Sequence, residues 1–219
     1  MVSMLIVYNI LLTLIVSVLL ALEMQDSHSA SVNDLFQTTN ISSTEYTSIF
    51  DGKTLDGWAM VGSGKFIITD DGSLRSGGHG ILWYTKTKYK DFILELNWKV
   101  SKEDDNSGVF VRFPDPNGDT KIPVRYGYEI QIDDTAGNPL HQTGAIYDFA
   151  GPTKKVSNPP DQWNNMKIQA INQSYSVVIN GEKINEFVGK RQDAGYIGLQ
   201  AHDEKSLVFF KDIRIRGIS

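Results

Sequence analysis

The stretches NSGVFVRF (Asn106–Phe113) and, after a Pro/Gly-rich excursion, YGYEIQIDD (Tyr126–Asp134) alternate apolar and polar residues with a period of two. That is the pattern of β-strands with two unlike faces. In the first run Val109, Val111 and Phe113 fall on one side, with Phe110 and Arg112 on the other. In the second, Tyr128, Ile130 and Ile132 oppose Glu129, Gln131 and Asp133. A polar face of Arg, Glu, Gln and Asp has two readings: the wet side of an antiparallel sheet, or the floor of a lined cleft. A third run, YIGLQAHD (Tyr196–Asp203), sets Ile197, Leu199 and Ala201 against Gln200 and His202. A floor built from these strands would bring Arg112, Glu129, Gln131 and His202 together, a set suited to gripping sugars or to moving protons.

Working outward, the chain stays strand-like from Ile49 onward. Runs recur at Phe66–Thr69, Ser73–Ser76, Ile81–Thr85, Asp91–Val100, Gly144–Phe149, Asn165–Ile171, Tyr175–Ile179 and Leu207–Arg216. Turn residues separate them. Asn180-Gly181, between SYSVVI and EKINEF, is the plainest hairpin signal. In Asp91–Val100 the residues Phe92, Leu94, Leu96, Trp98 and Val100 make a core face. No stretch in this region holds a helical period over three turns. Many short strands at this spacing predict an all-β sandwich or barrel, and the lack of an internal repeat argues against a propeller.

The N-terminus is different. Met4 to Leu22 is almost wholly apolar over 19 residues, an export signal or a membrane anchor, with no Lys or Arg before it. The expected organisation is residues 1–23 as signal peptide or N-terminal anchor helix, 24–46 as a polar linker rich in Ser, Thr, Asn and Gln, and 47–219 as the β domain. The domain is then expected outside the cytoplasm, secreted or membrane-anchored. No cysteine occurs in the 219 residues, which excludes disulfides, thiolate metal sites and thiol catalysis. The formal net charge is −5, but residues 1–45 hold four acids and no base, so 21 basic residues face 22 acids in the rest. A near-neutral domain offers no electrostatic reason to bind nucleic acid.

The ordered set DGKTLDGW (Asp51–Trp58), NSGVFVR, YEIQIDD, TGAIYD (Thr143–Asp148), WN, NG and IGLQAHD resembles the 3-keto-disaccharide hydrolase family, also described as 3-keto-glucoside 1,2-lyase and 3-keto-2-hydroxy-glucal hydratase. The resemblance spans about Thr47 to Ser219 and implies a concanavalin-like jelly-roll β-sandwich. It also implies substrates, oligosaccharides or glycosides, whose carbon 3 is already a ketone, supplied by a separate oxidoreductase. A base takes the acidified proton from carbon 2, the glycosidic oxygen leaves carbon 1, and water adds across the enone. On this reading Glu129 and His202 transfer protons, while Arg112 holds the enolate with its fork of donors. Gln131, Gln200, Asp133, Tyr147, Asn106 and Trp83 contact substrate. A divalent metal held by Glu129, Asp133 and His202 is a further way to steady an enolate, although no local motif calls for one.

Each assignment has a plainer counterpart. Arg112 and Glu129 could form a cross-strand ion pair, and His202 could be an ordinary hydrogen-bonded histidine. Trp83 is the candidate rim platform for a sugar ring, whereas Trp98 reads as core. The alternative function is a non-catalytic carbohydrate-binding module on the same sandwich; a third reading is a surface adhesion domain.

Overall fold

The computed structural model describes residues 45–218, so the expected N-terminal helix and nearly all of the expected linker lie outside the described residues. Thirteen strands are present among them: β1 (Thr47–Ser48), β2 (Trp58–Gly62), β3 (Lys65–Ile68), β4 (Leu74–Gly77), β5 (Gly80–Tyr89), β6 (Phe92–Val100), β7 (Ser107–Phe113), β8 (Tyr128–Ile132), β9 (Asn164–Ile171), β10 (Ser174–Ile179), β11 (Glu182–Val188), β12 (Gly195–Ala201) and β13 (Val208–Gly217). A short α-helix, α1 (Lys121–Tyr126), falls between β7 and β8, and a 3-10 turn (Pro139–His141) follows β8. One sheet runs β11-β10-β9-β6-β13-β4-β3, with β1 added on β13; the other runs β2-β5-β12-β7-β8.

The period-two faces meet between the sheets. From the larger sheet come Phe92, Leu94, Leu96, Trp98, Met166, Ile168, Val208 and Phe210, and from the smaller Val109, Val111, Tyr128, Ile130, Ile197 and Leu199, all buried. Each such side chain contributes roughly 1.5–3 kcal/mol relative to exposure. The Asn180-Gly181 turn forms as expected. Both residues take positive φ (51° and 83°), the geometry of a tight hairpin turn matched to strand twist.

Three local expectations change. Strand β2 was not expected; it is fixed in part by the Trp58 indole N–H, which donates to the Ile49 carbonyl at 2.7 Å. The run Gly144–Phe149 is not a full strand. It makes only the bridges Ile130↔Ile146 and Ile146↔Ala150, because Gly144 (φ 85°) and Asp148 (φ 65°) turn the chain away.

The third change matters most. Tyr196 pairs with Phe113 and Ile197 with Val111, so Arg112 is an extra residue on β7, in a left-handed conformation at φ 53°. A bulge of this kind reverses the alternation beyond it. Phe113 therefore turns to the outer side, where it packs with Phe110, Val61 and Ile81, and Arg112 turns inward to complete burial.

The segment after β7 crosses that outer side. The Thr120 methyl packs where Gly62 lacks a side chain, and the chain returns at Gly127 against the Val111 carbonyl and Phe113. Pro123 sits in the first turn of α1, where it removes no needed donor. The far end is tied down by Arg191, whose Nη1 donates to the carbonyls of Val124 (2.8 Å) and Gly127.

Candidate active site on the five-stranded sheet

The outer side of the five-stranded sheet carries two rows of side chains fixed by register. One runs Ala59, Trp83, Gly198, Phe110, Glu129 across β2-β5-β12-β7-β8. The next holds Val61, Ile81, Gln200, Gly108 and Gln131. Gly108 is the hinge between them: any Cβ there would overlap the Glu129 carboxylate, whose Oε1 lies over the bare backbone. Two outward positions on β8 and one on β12 thus converge above a glycine.

Three of these side chains present oxygens with no partner: Glu129 Oε1, Gln131 Oε1 and Gln200 Oε1 are all buried and unbonded. Buried polar atoms are rarely left so in a native fold. Three aligned on one face therefore mark a place shaped for the donors of a ligand. Glu129 is 7% exposed. Burial away from water, with the Asp148 charge adding to it, pushes its pKa up to about 8. At neutral pH the carboxyl is a proton donor.

A hydrogen-bonded chain links this polar group to His202. Gln131 Nε2 donates to Asn106 Oδ1 at 3.1 Å, and Asn106 Nδ2 donates to Asp133 Oδ2 at 3.1 Å. The Asn106 backbone N–H donates to Ser206 Oγ at 3.0 Å, and Ser206 in turn donates to Asp203 Oδ2 at 3.2 Å. Asp203 holds His202 Nδ1 at 2.7 Å. Burial alone would raise the Asp203 pKa, but hydrogen bonds from His202 and from the Lys205 and Ser206 backbone outweigh it and hold the group near 2. An ionised carboxylate can only accept, so Nδ1 carries the hydrogen and Nε2 is left as the free nitrogen.

The edge beyond β8 forms a wall. Tyr147 N donates to the Glu129 carbonyl at 2.9 Å, which sets Tyr147 beside Glu129. His141 stacks on its ring at 4.2 Å and 8°, and His141 Nε2 bonds Asp148 Oδ1 at 2.7 Å. Partial burial, with the charges of Asp148 and Glu129, raises the Tyr147 pKa, so its hydroxyl stays a donor. At the other end Trp83 meets Tyr196 edge-on at 4.7 Å. Both stand next to Gly198, a position with no side chain.

Of the residues expected at the site, Glu129, Gln131, Gln200, Asn106, Asp133, Tyr147 and Trp83 lie on or beside this face, and His202 joins them through Asp203 and Ser206. Arg112 does not, and its expected enolate-holding role is corrected here. Its Nε donates to the Lys90 carbonyl (2.8 Å), Nη1 to Tyr175 Oη (3.0 Å) and Nη2 to Asp91 Oδ1 (3.1 Å), with the Asn172 carbonyl as a further acceptor. The bulge sends it inside, where it clamps the β5–β6 and β9–β10 turns. It pairs with neither Glu129 nor a substrate-facing group. Among the described residues no three His, Asp or Glu side chains are grouped to hold a metal ion. Glu129, Asp133 and His202 are spread across the network, with Asp133 engaged by Asn106 and Thr135. The pairings that sequence reasoning did not foresee are His141 with Asp148 and Asp203 with Ser206, and it passed over the α1 side chains. Only the adjacent His202-Asp203 pair could have been seen in the sequence.

Residues 45–216 match the family model described as the 3-keto-alpha-glucoside-1,2-lyase-like domain. A curated protein from Bacteroides thetaiotaomicron named 3-keto-disaccharide hydrolase is 26% identical over 229 residues, covering 78% of either chain. A crystal structure of a candidate glycosyl hydrolase from Parabacteroides distasonis is 30% identical with a TM-score of 0.68, covering 80% of this chain and 100% of that one. A carbohydrate-binding module from Bacillus subtilis shares the fold alone, at 16% identity and a TM-score of 0.55, over 74% of this chain and 96% of that one.

Proposed function

Because the chain belongs to the 3-keto-alpha-glucoside-1,2-lyase-like family, we propose that it cleaves 3-keto-glycosides by elimination and hydration on the outer face of its five-stranded sheet. The observation that carries the reading is the buried Glu129 carboxyl over Gly108, with its unpartnered oxygen among those of Gln131 and Gln200.

The ketone at carbon 3 acidifies the hydrogen on carbon 2. His202 Nε2 accepts that proton while Asp203 steadies the resulting imidazolium. The electron pair moves into an enolate, whose oxygen accepts a hydrogen bond from the Tyr147 hydroxyl. The carbon 1–oxygen bond breaks, and Glu129 gives its proton to the leaving oxygen. Water then adds its hydroxyl to carbon 1 of the enone, and a proton returns to carbon 2. Gln131 and Gln200 take sugar hydroxyls, and Trp83 offers a ring face. On this reading a separate oxidoreductase supplies the ketone, and the apolar Met4–Leu22 segment supports a place for that chemistry outside the cytoplasm.

The likeness to a binding module favours a second reading, in which the same groups only grip hydroxyls. Incubation with a 3-keto-disaccharide, with and without chelator, separates the two. Release of both sugars supports the enzyme, whereas saturable binding with no cleavage in either condition supports the module.

A further inference from the structure

Between α1 and the sheet lies a cavity of about 340 Å³, floored by Gly80, Ile81, Gln200 and Ala201 and walled by His79, Thr120, Lys121, Val124 and Arg125. The volume is at the low end of ligand pockets, roughly 300–1,000 Å³, room for one small ring or substituent. Its lining contains two cations and an imidazole and not one acid, in a domain whose charges otherwise nearly cancel.

Neither the Lys121 nor the Arg125 side chain has an ion pair or hydrogen bond within the described residues. The acid nearest in sequence, Asp119, has Oδ1 occupied by the Lys121 backbone N–H at 2.8 Å. Lys121 and Arg125 stand four apart, so they share one side of a helix only six residues long. Both are exposed, and like charges at that spacing repel only weakly. On the floor Gln200 presents a buried oxygen with no donor. Opposite, His79 donates Nδ1–H to the His202 carbonyl at 2.9 Å, which fixes its ring at the rim.

We propose that this cavity is a subsite for an anionic substituent of the sugar, a carboxylate or a sulfate, held by Lys121 and Arg125 while Gln200 accepts a hydroxyl of the same ring. The inference rests on the reading that this face binds a sugar, and not on the chemistry assigned to Glu129. Gln200 joins the two places: it lines the cavity, and it follows Leu199, which pairs with Val109 next to Gly108, over which the Glu129 carboxyl lies. The acidic ring is therefore the reacting sugar or its immediate neighbour. Arg125 supplies a planar fork that fits either anion, and Lys121 adds a point charge.

The test uses the full chain and three 3-keto-disaccharides that differ only at carbon 6 of one ring: hydroxymethyl, carboxylate and sulfate. Calorimetric affinity and kcat/KM are read for wild type, for the double replacement Lys121→Gln/Arg125→Gln, and for Glu129→Gln. Wild type should prefer at least one anionic compound by about tenfold or more, the worth of one charge-assisted hydrogen bond. The preference should weaken with added salt and collapse in the double variant, with melting temperature unchanged. The two anionic arms tell a carboxylate site from a sulfate site. Equal affinity for all three in wild type, no binding of any, or a preference that survives the double replacement overturns the subsite. An anionic preference that persists in binding with no turnover by wild type would instead sink the catalytic reading and leave the subsite standing.

Discussion

At the scale of single residues, Glu129 decides the account. Its folded pKa of about 8 lies above the ordinary 4.5, so the folded state holds a proton that the unfolded chain releases. The stability this group contributes is fully present below about pH 4.5 and is lost as pH rises through about 8. Glu129→Gln removes the titration. Melting curves should show wild type falling behind the variant between those values, by up to about 1.4 kcal/mol per pH unit. Parallel curves would mean that the carboxyl is ionised and hydrated. Asp148 adds its charge to the same effect, so Asp148→Asn should bring the alkaline fall in kcat/KM to lower pH. An unmoved profile would detach Asp148 from Glu129. Partners of this kind are silent in sequence, since His141 and Asp148 meet through a turn at φ 65° that no local pattern announces.

At the scale of the element, β7 and β8 show what the sequence could and could not say. Strict alternation on β8 placed Glu129 and Gln131 on one face, and every residue of that strand obeys it, because antiparallel pairing with β7 is unbroken from Ser107↔Ile132 to Val111↔Tyr128. On β7 the same rule fails at Arg112. One inserted residue reverses the facing, and a bulge depends on the partner strand rather than on the bulged one. Helix α1 was invisible because six residues are too few to display a period. Two variants probe these elements. Arg112→Ala leaves two turns unclamped and should cost about 3–5 kcal/mol of stability, measured by denaturant unfolding; a loss under 1 kcal/mol would show that the clamp is dispensable. Gly108→Ala keeps an ordinary backbone conformation but drives a methyl into the Glu129 carboxyl. It should cut kcat/KM by at least tenfold with the fold intact by circular dichroism, and undiminished activity would show that the carboxyl does not work from that position.

Across the whole molecule, the sandwich divides its labour. The larger sheet supplies most of the core-facing aromatic and aliphatic bulk, while the outer side of the smaller is partly roofed by α1 over a cavity. Strands β12, β7 and β8 are neighbours in that sheet, which places the three unpartnered oxygens on one face. The same architecture serves binding modules, so the fold leaves the chemistry open and the proton at Glu129 must settle it. Running the reaction of a 3-keto-disaccharide in deuterium oxide reads that chemistry directly. Elimination followed by hydration predicts one solvent deuterium on carbon 2 of the released 3-keto-sugar from wild type, and at least a hundredfold slower release from Glu129→Gln. Cleavage with carbon 2 still carrying its original hydrogen, or undiminished release by the variant, would contradict the account.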